Sequence, residues 1–366
     1  MAGRIVLFGA TGYTGRLTAE RLVAAGERPV LAGRDPGRLR ALADEVSPGL
    51  ETVKADVLRA NSVFGLVEPG DVLVTTVGPF AKHGEPALRA AIAAGATYID
   101  STGEPAFIRR VFEEFHHPGR ASGAALLTAM GYDYVPGALA GALALDAAGE
   151  HAVRVDVGYY VVGSGRPSPG TLESLAGAML DPAFAFRDGR IVTERGAARV
   201  RSFQVAGRPR PAASIGSAEH FGLPPAYPRL REVNAYLGWF GPLTRGVQAM
   251  SLATTGAQRL PGARRVMQAT TERVARLVPT RDHGSRSQAR SWIAAEAYDA
   301  AGGRLAEVHL EGVDAYDFTA GFLAWAARRA QATGVDGTGA LGPVGAFGTA
   351  ALEQGCAEAG IARTGS

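Results

Sequence analysis

Seven residues near the start of the chain, Gly9-Ala10-Thr11-Gly12-Tyr13-Thr14-Gly15, constrain the fold more than any other feature. They follow a short apolar run, Arg4 to Phe8, and lead into a helical pattern that ends near Ala25. Glycines at this spacing let backbone amides approach a phosphate at a helix N-terminus. A plain tight turn is the alternative, but the strand–loop–helix context favours nucleotide binding. We therefore predict contacts from Gly9, Thr11, Gly12, Tyr13, Thr14 and Gly15.

The first 150 residues alternate between strand and helix patterns. Further strands are predicted near Val30 to Ala32, Glu51 to Lys54, Asp71 to Thr76, Thr97 to Ile99 and Ala125 to Leu127. This alternation is typical of an α/β fold with a doubly wound parallel sheet. We therefore predict a Rossmann domain over residues 1–150.

The pattern changes after residue 150. Ala152 to Val162 is a long run rich in β-formers, and two later runs flank the glycine turn at Ala301-Gly302-Gly303. In the second of these runs apolar and charged residues alternate from Leu305 to Gly312, which indicates a half-buried antiparallel strand. We predict a second α+β domain over residues 151–335, with a mostly antiparallel sheet.

The end of the second predicted strand reads Gly33-Arg34-Asp35, with Arg38 one helical turn further on. A guanidinium fork suits the 2′-phosphate of NADP(H), so Arg34 and Arg38 predict that cofactor. Asp35 is a competing signal, because a carboxylate there could hold a ribose hydroxyl of NAD instead. Both arginines could also be solvated residues at a helix start.

Two other strand ends supply candidate cofactor contacts, because ligands bind at the carboxyl edge of such sheets. Asp56 and Val57 follow the third strand, where an acid can approach the adenine; capping the next helix is an equal alternative for Asp56. Four more candidates close the fourth strand: Thr76, Val77, Gly78 and Pro79.

Four blocks of sequence together resemble the saccharopine dehydrogenase-like oxidoreductases. They are the Gly9 to Gly15 loop, Gly78-Pro79-Phe80 with Gly84, the segment Tyr98 to Glu104, and Gly131 to Pro136; the tail from Gly342 to Gly348 is also similar. The resemblance covers the first 150 residues well and the C-terminal quarter loosely. Length and tail resemble the bacterial branch that includes trans-acting enoyl reductases.

The resemblance implies NADP-dependent reduction and a second α+β domain. It also implies a C-terminal segment, residues 336–366, that packs back on the Rossmann domain. Gly103 and Glu104 join the expected cofactor contacts, although Glu104 could instead cap a helix.

Catalytic candidates must lie at the carboxyl edge of the sheet. Tyr132 and Asp133 follow the sixth strand, Lys82 and His83 follow the fourth, and Glu104 follows the fifth. Each has a structural alternative: Asp133 could cap the helix near Pro136, Tyr132 could pack on the nicotinamide, and Lys82 could bind phosphate. Lys54 and Lys82 are the only lysines, so the Tyr–Lys proton relay of short-chain dehydrogenases is excluded.

Composition excludes several other classes of function. The formal charge is +3 with basic residues dispersed, so nucleic acid is not an expected partner. A single cysteine rules out a disulfide within the chain, no cluster has metal-ligand spacing, and no apolar run would span a bilayer. We expect a cytoplasmic protein with no metal, and peripheral membrane contact stays open.

Three functions remain. The first, implied by the resemblance to the enoyl-reductase branch, is NADPH-dependent reduction of an activated C=C bond of a small or lipophilic metabolite. The second is C=N reduction or C–N oxidation, for which Arg166 and Arg231 could bind an amino acid. The third is a nucleotide-binding scaffold without catalysis. The aromatic residues Tyr227, Tyr236, Trp239 and Phe240 could line a pocket for a lipophilic substrate, or form core or dimer contacts. Strands between residues 285 and 312 could build a homodimer.

Overall fold

The computed structural model describes residues 3–163, 183–239, 241–257 and 289–364. The main helices are Tyr13–Ala24, Pro36–Val46, Ala60–Phe64, Phe80–His83, Glu85–Ala94, Pro105–Arg110, His116–Ser122, Val135–Ala148, Glu219–Gly222, Thr244–Ala257, Ala315–Thr333, Pro343–Phe347 and Thr349–Glu358. The described chain divides into two compact units. The first comprises residues 1–103, 107–135 and 315–360, and the second 104–106, 136–314 and 361–366.

A parallel sheet forms the centre of the first unit. Its strands are β1 (Ile5–Phe8), β2 (Val30–Gly33), β3 (Thr52–Lys54), β4 (Val72–Thr75), β5 (Thr97–Asp100), β6 (Ala125–Leu127) and β15 (Gly339–Ala340). They lie in the order β15-β6-β5-β4-β1-β2-β3, and every neighbouring pair is parallel. The order reverses between β1 and β4, so a ligand crevice is expected at their carboxyl ends. The predicted doubly wound Rossmann sheet is confirmed.

The long helix (Ala315–Thr333) belongs to the first unit although it follows the second unit in sequence. It packs against helix Tyr13–Ala24 and against β4 and β5. Phe318 and Phe322 are fully buried on it and stack with ring centroids 5.8 Å apart. The domain boundaries predicted at residues 150 and 335 stay predictions.

The second unit is built on a mostly antiparallel sheet, as predicted. Its strands are β7 (Arg154–Val162), β8 (Ala183–Arg187), β9 (Arg190–Glu194), β10 (Val200–Val205), β11 (Arg208–Ile215), β12 (Glu232–Leu237), β13 (Arg290–Tyr298), β14 (Arg304–Gly312) and β16 (Ile361–Arg363). The main path is β10-β11-β12-β7-β13-β14-β16, with β8 and β9 joined to β12. Among the described strands of this second sheet, only β12 and β7 pair in parallel.

The two faces of this second sheet differ in chemistry. Successive side chains of a strand point to opposite faces, so β7 separates Val155 and Val157 from Arg154 and Asp156. The valines lie beside Gly141 of helix Val135–Ala148, where a β-carbon would meet them at 3.5 and 3.7 Å, an ordinary van der Waals contact. The other face carries the charged residues, among them Arg154 and Asp156.

Candidate functional site

Close packing around the glycine loop explains its sequence. Gly9 has a φ of +89°, a backbone conformation that favours glycine. A β-carbon at Gly15 would stand 2.2 Å from the carbonyl oxygen of Gly9, and the amide of Gly12 donates to that same oxygen at 3.0 Å. The loop therefore turns sharply into helix Tyr13–Ala24, whose first turn has no acidic residue. This leaves a helix N-terminus suited to a phosphate.

The arginines after β2 lie at the same end of the sheet. Arg34 and Arg38 are both exposed, and the Arg38 guanidinium donates to the Thr11 carbonyl at 3.1 Å. Asp35 instead caps helix Pro36–Val46 by accepting from the amides of Gly37 and Arg38, at 2.9 and 3.1 Å. The amide of Arg38, more than that of Gly37, lowers the pKa of Asp35. Oδ1 of Asp35 is thus used by the helix cap.

The loops after β3 and β4 carry the next predicted cofactor contacts. Thr76 donates from Oγ1 to the Gly9 carbonyl at 3.2 Å, which joins the β4 end to the glycine loop. The other predicted contacts after β4, Val77, Gly78 and Pro79, continue from it. Asp56 accepts from the Leu58 amide at 3.0 Å, so its carboxylate closes a local turn, and half-buried Val57 lies inside that turn.

Asp133 lies where the loops after β5 and β6 meet. A β-carbon at Gly103 would be 3.1 Å from Asp133 Oδ2, and the Tyr134 hydroxyl donates to the Gly103 carbonyl at 3.4 Å. The residue is half-buried, but its Oδ1 is inaccessible and makes no hydrogen bond among the described residues. Burial without a nearby cation raises the pKa of Asp133 to about 7. The carboxyl can therefore carry a proton at neutral pH.

The other catalytic candidates lie in different surroundings. Tyr132 is buried, and its amide donates to Thr319 Oγ1 at 3.0 Å. Lys82 is exposed on the short helix Phe80–His83. Glu104 is buried directly before helix Pro105–Arg110. Their predicted roles stay predictions.

Asp100 was not predicted as a site residue, yet it organises this edge. Its Oδ1 accepts from the amides of Thr102 and Ala129, both at 2.9 Å, and its carbonyl accepts from Met130 at 2.7 Å. Burial raises the pKa of Asp100 to about 6, although the two amides oppose that shift. Asp100 thereby ties the loop after β5 to the loop after β6. The signal that the sequence offered for Asp100 was an acidic residue at the end of an apolar strand pattern.

The long helix supplies two further neighbours that the sequence did not reveal. The Tyr316 ring meets the Tyr13 ring edge to face, with centroids 5.1 Å apart. Thr319 accepts from Tyr132 and donates to the Ala315 carbonyl at 2.7 Å. A residue nearly 200 positions away thus positions the loop that holds Asp133, and no local pattern in the sequence predicts such a contact.

Comparison with known proteins agrees with this geometry. Residues 5–124 match the family described as "Saccharopine dehydrogenase NADP binding domain". The first unit is thus similar, over residues 5–124, to the NADP-binding domain of saccharopine dehydrogenases. The predicted resemblance and the predicted cofactor, NADP(H), are therefore confirmed.

Curated relatives match a shorter stretch. Over 137 residues the chain is 39% identical to a protein of Mycobacterium tuberculosis and 37% identical to one of Mycobacterium ulcerans named "Trans-acting enoyl reductase". Each match covers 36% of this chain and 33% of the relative, so the matched segment spans about a third of the relatives' length. A saccharopine dehydrogenase from Saccharomyces cerevisiae shares the fold, with a TM-score of 0.60, 12% identity and 96% of both chains covered. Together these findings support the predicted class, an NADP-dependent oxidoreductase.

The aromatic residues predicted for a substrate pocket are mostly committed to packing within the second unit. The Tyr227 hydroxyl donates to Asp146 Oδ1 at 2.8 Å, and Tyr236 packs against Phe203 with centroids 5.6 Å apart. Arg231 is exposed. Phe240 and Arg166 lie outside the described residues, and the role of Trp239 stays a prediction.

No described helix is both long and apolar enough to cross a membrane. Within the described ranges, no group of three or more His, Cys, Asp or Glu side chains is placed to hold a metal ion.

Proposed function

We propose that this chain is an NADPH-dependent oxidoreductase that reduces an activated C=C bond, with Asp133 as the proton donor. The observation that carries the proposal is the Asp133 carboxyl, which has a pKa of about 7 where the loops after β5 and β6 meet. The choice of C=C over C=N rests on the printed name of the relatives, which match a third of their own length.

The residues of the first unit fit the cofactor. The glycine loop and the N-terminus of helix Tyr13–Ala24 would hold the pyrophosphate, and Arg34 and Arg38 would pair with the 2′-phosphate. When bound, NADPH supplies a hydride to one carbon of the acceptor, and the neighbouring carbon then requires a proton.

Asp133 is suited to supply that proton. Its carboxyl is neutral below about pH 7, so a proton is available at physiological pH. After transfer the group is a half-buried carboxylate with no described partner at Oδ1, which favours its reprotonation from solvent. Asp100 would keep the two loops in register, and Thr319 would hold the backbone at Tyr132.

Asp133→Asn tests the proposal, because it keeps the side-chain shape and removes the proton. We expect kcat for NADPH oxidation with an enoyl acceptor to fall about 100-fold, the lower range for loss of general acid catalysis. The dissociation constant for NADPH should not change. Asp44→Asn, an exposed aspartate on helix Pro36–Val46, is the matched control.

The pH profile provides a second readout. Because the pKa of Asp133 is raised, the active protonated form is lost as the pH rises through about 7, and kcat should fall over that range. The Asp133→Asn profile should lack this limb. An unchanged kcat and profile would reject Asp133 as the donor, and the same assay on Tyr132→Phe and Lys82→Met would then test the other candidates.

The acceptor panel separates the alternative functions. Turnover of imines but not enoyl compounds would favour the C–N oxidoreductase, and NADPH binding without turnover would favour the scaffold. A lipophilic acceptor, a homodimer and a cytoplasmic location with peripheral membrane contact stay proposals. Light scattering of the purified protein would test the homodimer.

A further inference from the structure

A cavity of about 400 Å³ opens on the charged face of the second sheet. Four arginines line it: Arg154, Arg187, Arg199 and Arg201. The remaining wall consists of Asp156, Glu232, Asn234 and Tyr236. The residues come from strands β7, β8, β10 and β12, or directly precede one of them, so rigid sheet backbone carries most of the site.

The four guanidinium groups of the wall are balanced by four carboxylates, two in the wall and two behind it. Four guanidinium groups face two carboxylates, and of these Asp156 is only 3% exposed. Two further acids lie behind the arginines, where Glu194 pairs with Arg199 and Glu296 pairs with Arg201. Those acids fix the guanidiniums, while Arg187, Arg199 and Arg201 stay between 19% and 36% exposed.

Hydrogen-bond donors exceed acceptors in this wall. Each guanidinium has about five N–H donors and no acceptor, whereas each carboxylate offers about four lone pairs. Asp156 already accepts from Asn234 at 2.6 Å and from Arg201. Glu232 accepts from Arg187 at 2.9 Å. A group rich in acceptor oxygens is therefore the complement of this cavity.

The arginines are also held in place before any ligand arrives. Arg187 reaches both Glu232 and Asn234, and Arg199 makes two bonds of 2.7 Å to Glu194. Arg201 lies over the Phe203 ring at 4.4 Å. Because these side chains are already ordered, less conformational entropy is lost when an anion binds.

We propose that this cavity binds a phosphate group, either free phosphate or the monoester of a small metabolite. The N–H donors of four partly exposed guanidinium groups match the acceptor oxygens of a phosphate, which carries about 1.5 to 2 negative charges at neutral pH. The volume lies within the range of about 300–1,000 Å³ that is usual for small-molecule pockets, so an organic substituent also fits. Asn234 and Tyr236 add neutral polar groups to orient it.

Calorimetric titration of the full chain tests the proposal without any turnover assay. The probes are inorganic phosphate and glycerol 2-phosphate, each added to protein saturated with NADPH so that the glycine loop is filled. We expect saturable binding of at least one probe at constant ionic strength. Tighter binding of glycerol 2-phosphate would identify a monoester site, and tighter binding of inorganic phosphate would identify a free-phosphate site.

Two variants locate the binding. Arg187→Gln removes one guanidinium, and Asn234→Asp adds a negative charge at nearly constant volume; each should raise the dissociation constant at least about tenfold. Arg229→Gln, which alters an exposed ion pair in the same unit, should leave it unchanged. Absence of saturable binding by the unaltered chain would overturn the proposal, whether or not the variants fold. The proposal would also be overturned if folded Arg187→Gln and Asn234→Asp bound the probe as tightly as the unaltered chain does.

Discussion

The two sheets place their charged groups in opposite ways. In the first unit the parallel strands are mostly apolar, and their charged groups lie at or beyond the carboxyl ends: Lys54 and Asp100 close β3 and β5, Arg34 follows β2 and Asp133 comes after β6. In the second unit Asp156 and Glu296 sit within strands, on one face of an antiparallel sheet. Helices cover both faces of a doubly wound sheet, so its chemistry is confined to strand ends.

The buried carboxyl groups of the two units also differ in whether a cation lies beside them. Burial raises the pKa of both Asp133 and Asp156, but for Asp156 the charges of Arg201 and Arg154 oppose the shift. Asp133 has no such cation. The first unit thus holds a buried carboxyl without a neighbouring cation, whereas the second uses its carboxylates to hold arginines. Four substitutions test this contrast.

Arg201→Gln should have the largest effect on stability. It leaves Asp156 and Glu296, which are 3–4% exposed, without their shared cation. Breaking a buried pair costs about 3–5 kcal/mol, and because Arg154 and Arg304 remain beside these acids we expect a loss near the lower end of that range. Urea denaturation should show that loss, while the NADPH dissociation constant stays the same. Arg290→Gln, which alters an exposed ion pair, is the control. Equal stability of the two variants would show that Arg201 is not needed to hold the buried acids.

Gly15→Ala should affect cofactor binding next most strongly. Its β-carbon would overlap the Gly9 carbonyl, and relieving that clash costs about 1–3 kcal/mol and displaces the loop. We expect NADPH affinity to fall roughly 10- to 100-fold in a fluorescence titration. Gly65→Ala is the matched control, because a β-carbon there meets its nearest neighbour at an ordinary 3.7 Å. Unaltered affinity would show that the phosphate does not lie on this loop.

Arg34→Ala should separate the two nicotinamide cofactors. Loss of one charged partner of the 2′-phosphate should weaken NADPH binding roughly tenfold and leave NADH nearly unchanged. Arg40→Ala, another exposed arginine nearby, should change neither. If both cofactors weaken equally, Arg34 has a structural role and the NADP preference must come from Arg38.

Thr319→Val should have the smallest effect. It removes the acceptor of the Tyr132 amide at nearly constant volume, which costs about 1–2 kcal/mol. We expect a lower melting temperature and a reduced kcat, with KM for NADPH little changed. Thr319→Ser keeps the hydroxyl and should restore kcat. A normal kcat in Thr319→Val would show that the loop of Asp133 keeps its position without this hydrogen bond.

Local patterns in the sequence predicted the parallel sheet, the glycine loop and NADP(H), because each depends on neighbouring residues. They did not predict the part played by Asp100, whose partners belong to two loops. Nor did they place Thr319 and Tyr316, which reach Tyr132 and Tyr13 from the far end of the chain. Contacts between distant segments leave no periodic trace, so only the folded chain reveals them.

The first unit is assembled from segments at both ends of the sequence, and this has a consequence during synthesis. While a ribosome is still adding the residues after 314, the nascent Rossmann sheet lacks β15 and the long helix. Tyr13, β4 and β5 then face solvent or a chaperone where the helix will later pack. Pulse proteolysis of a chain that stops at residue 314 should therefore cleave the N-terminal segment faster than in the full chain.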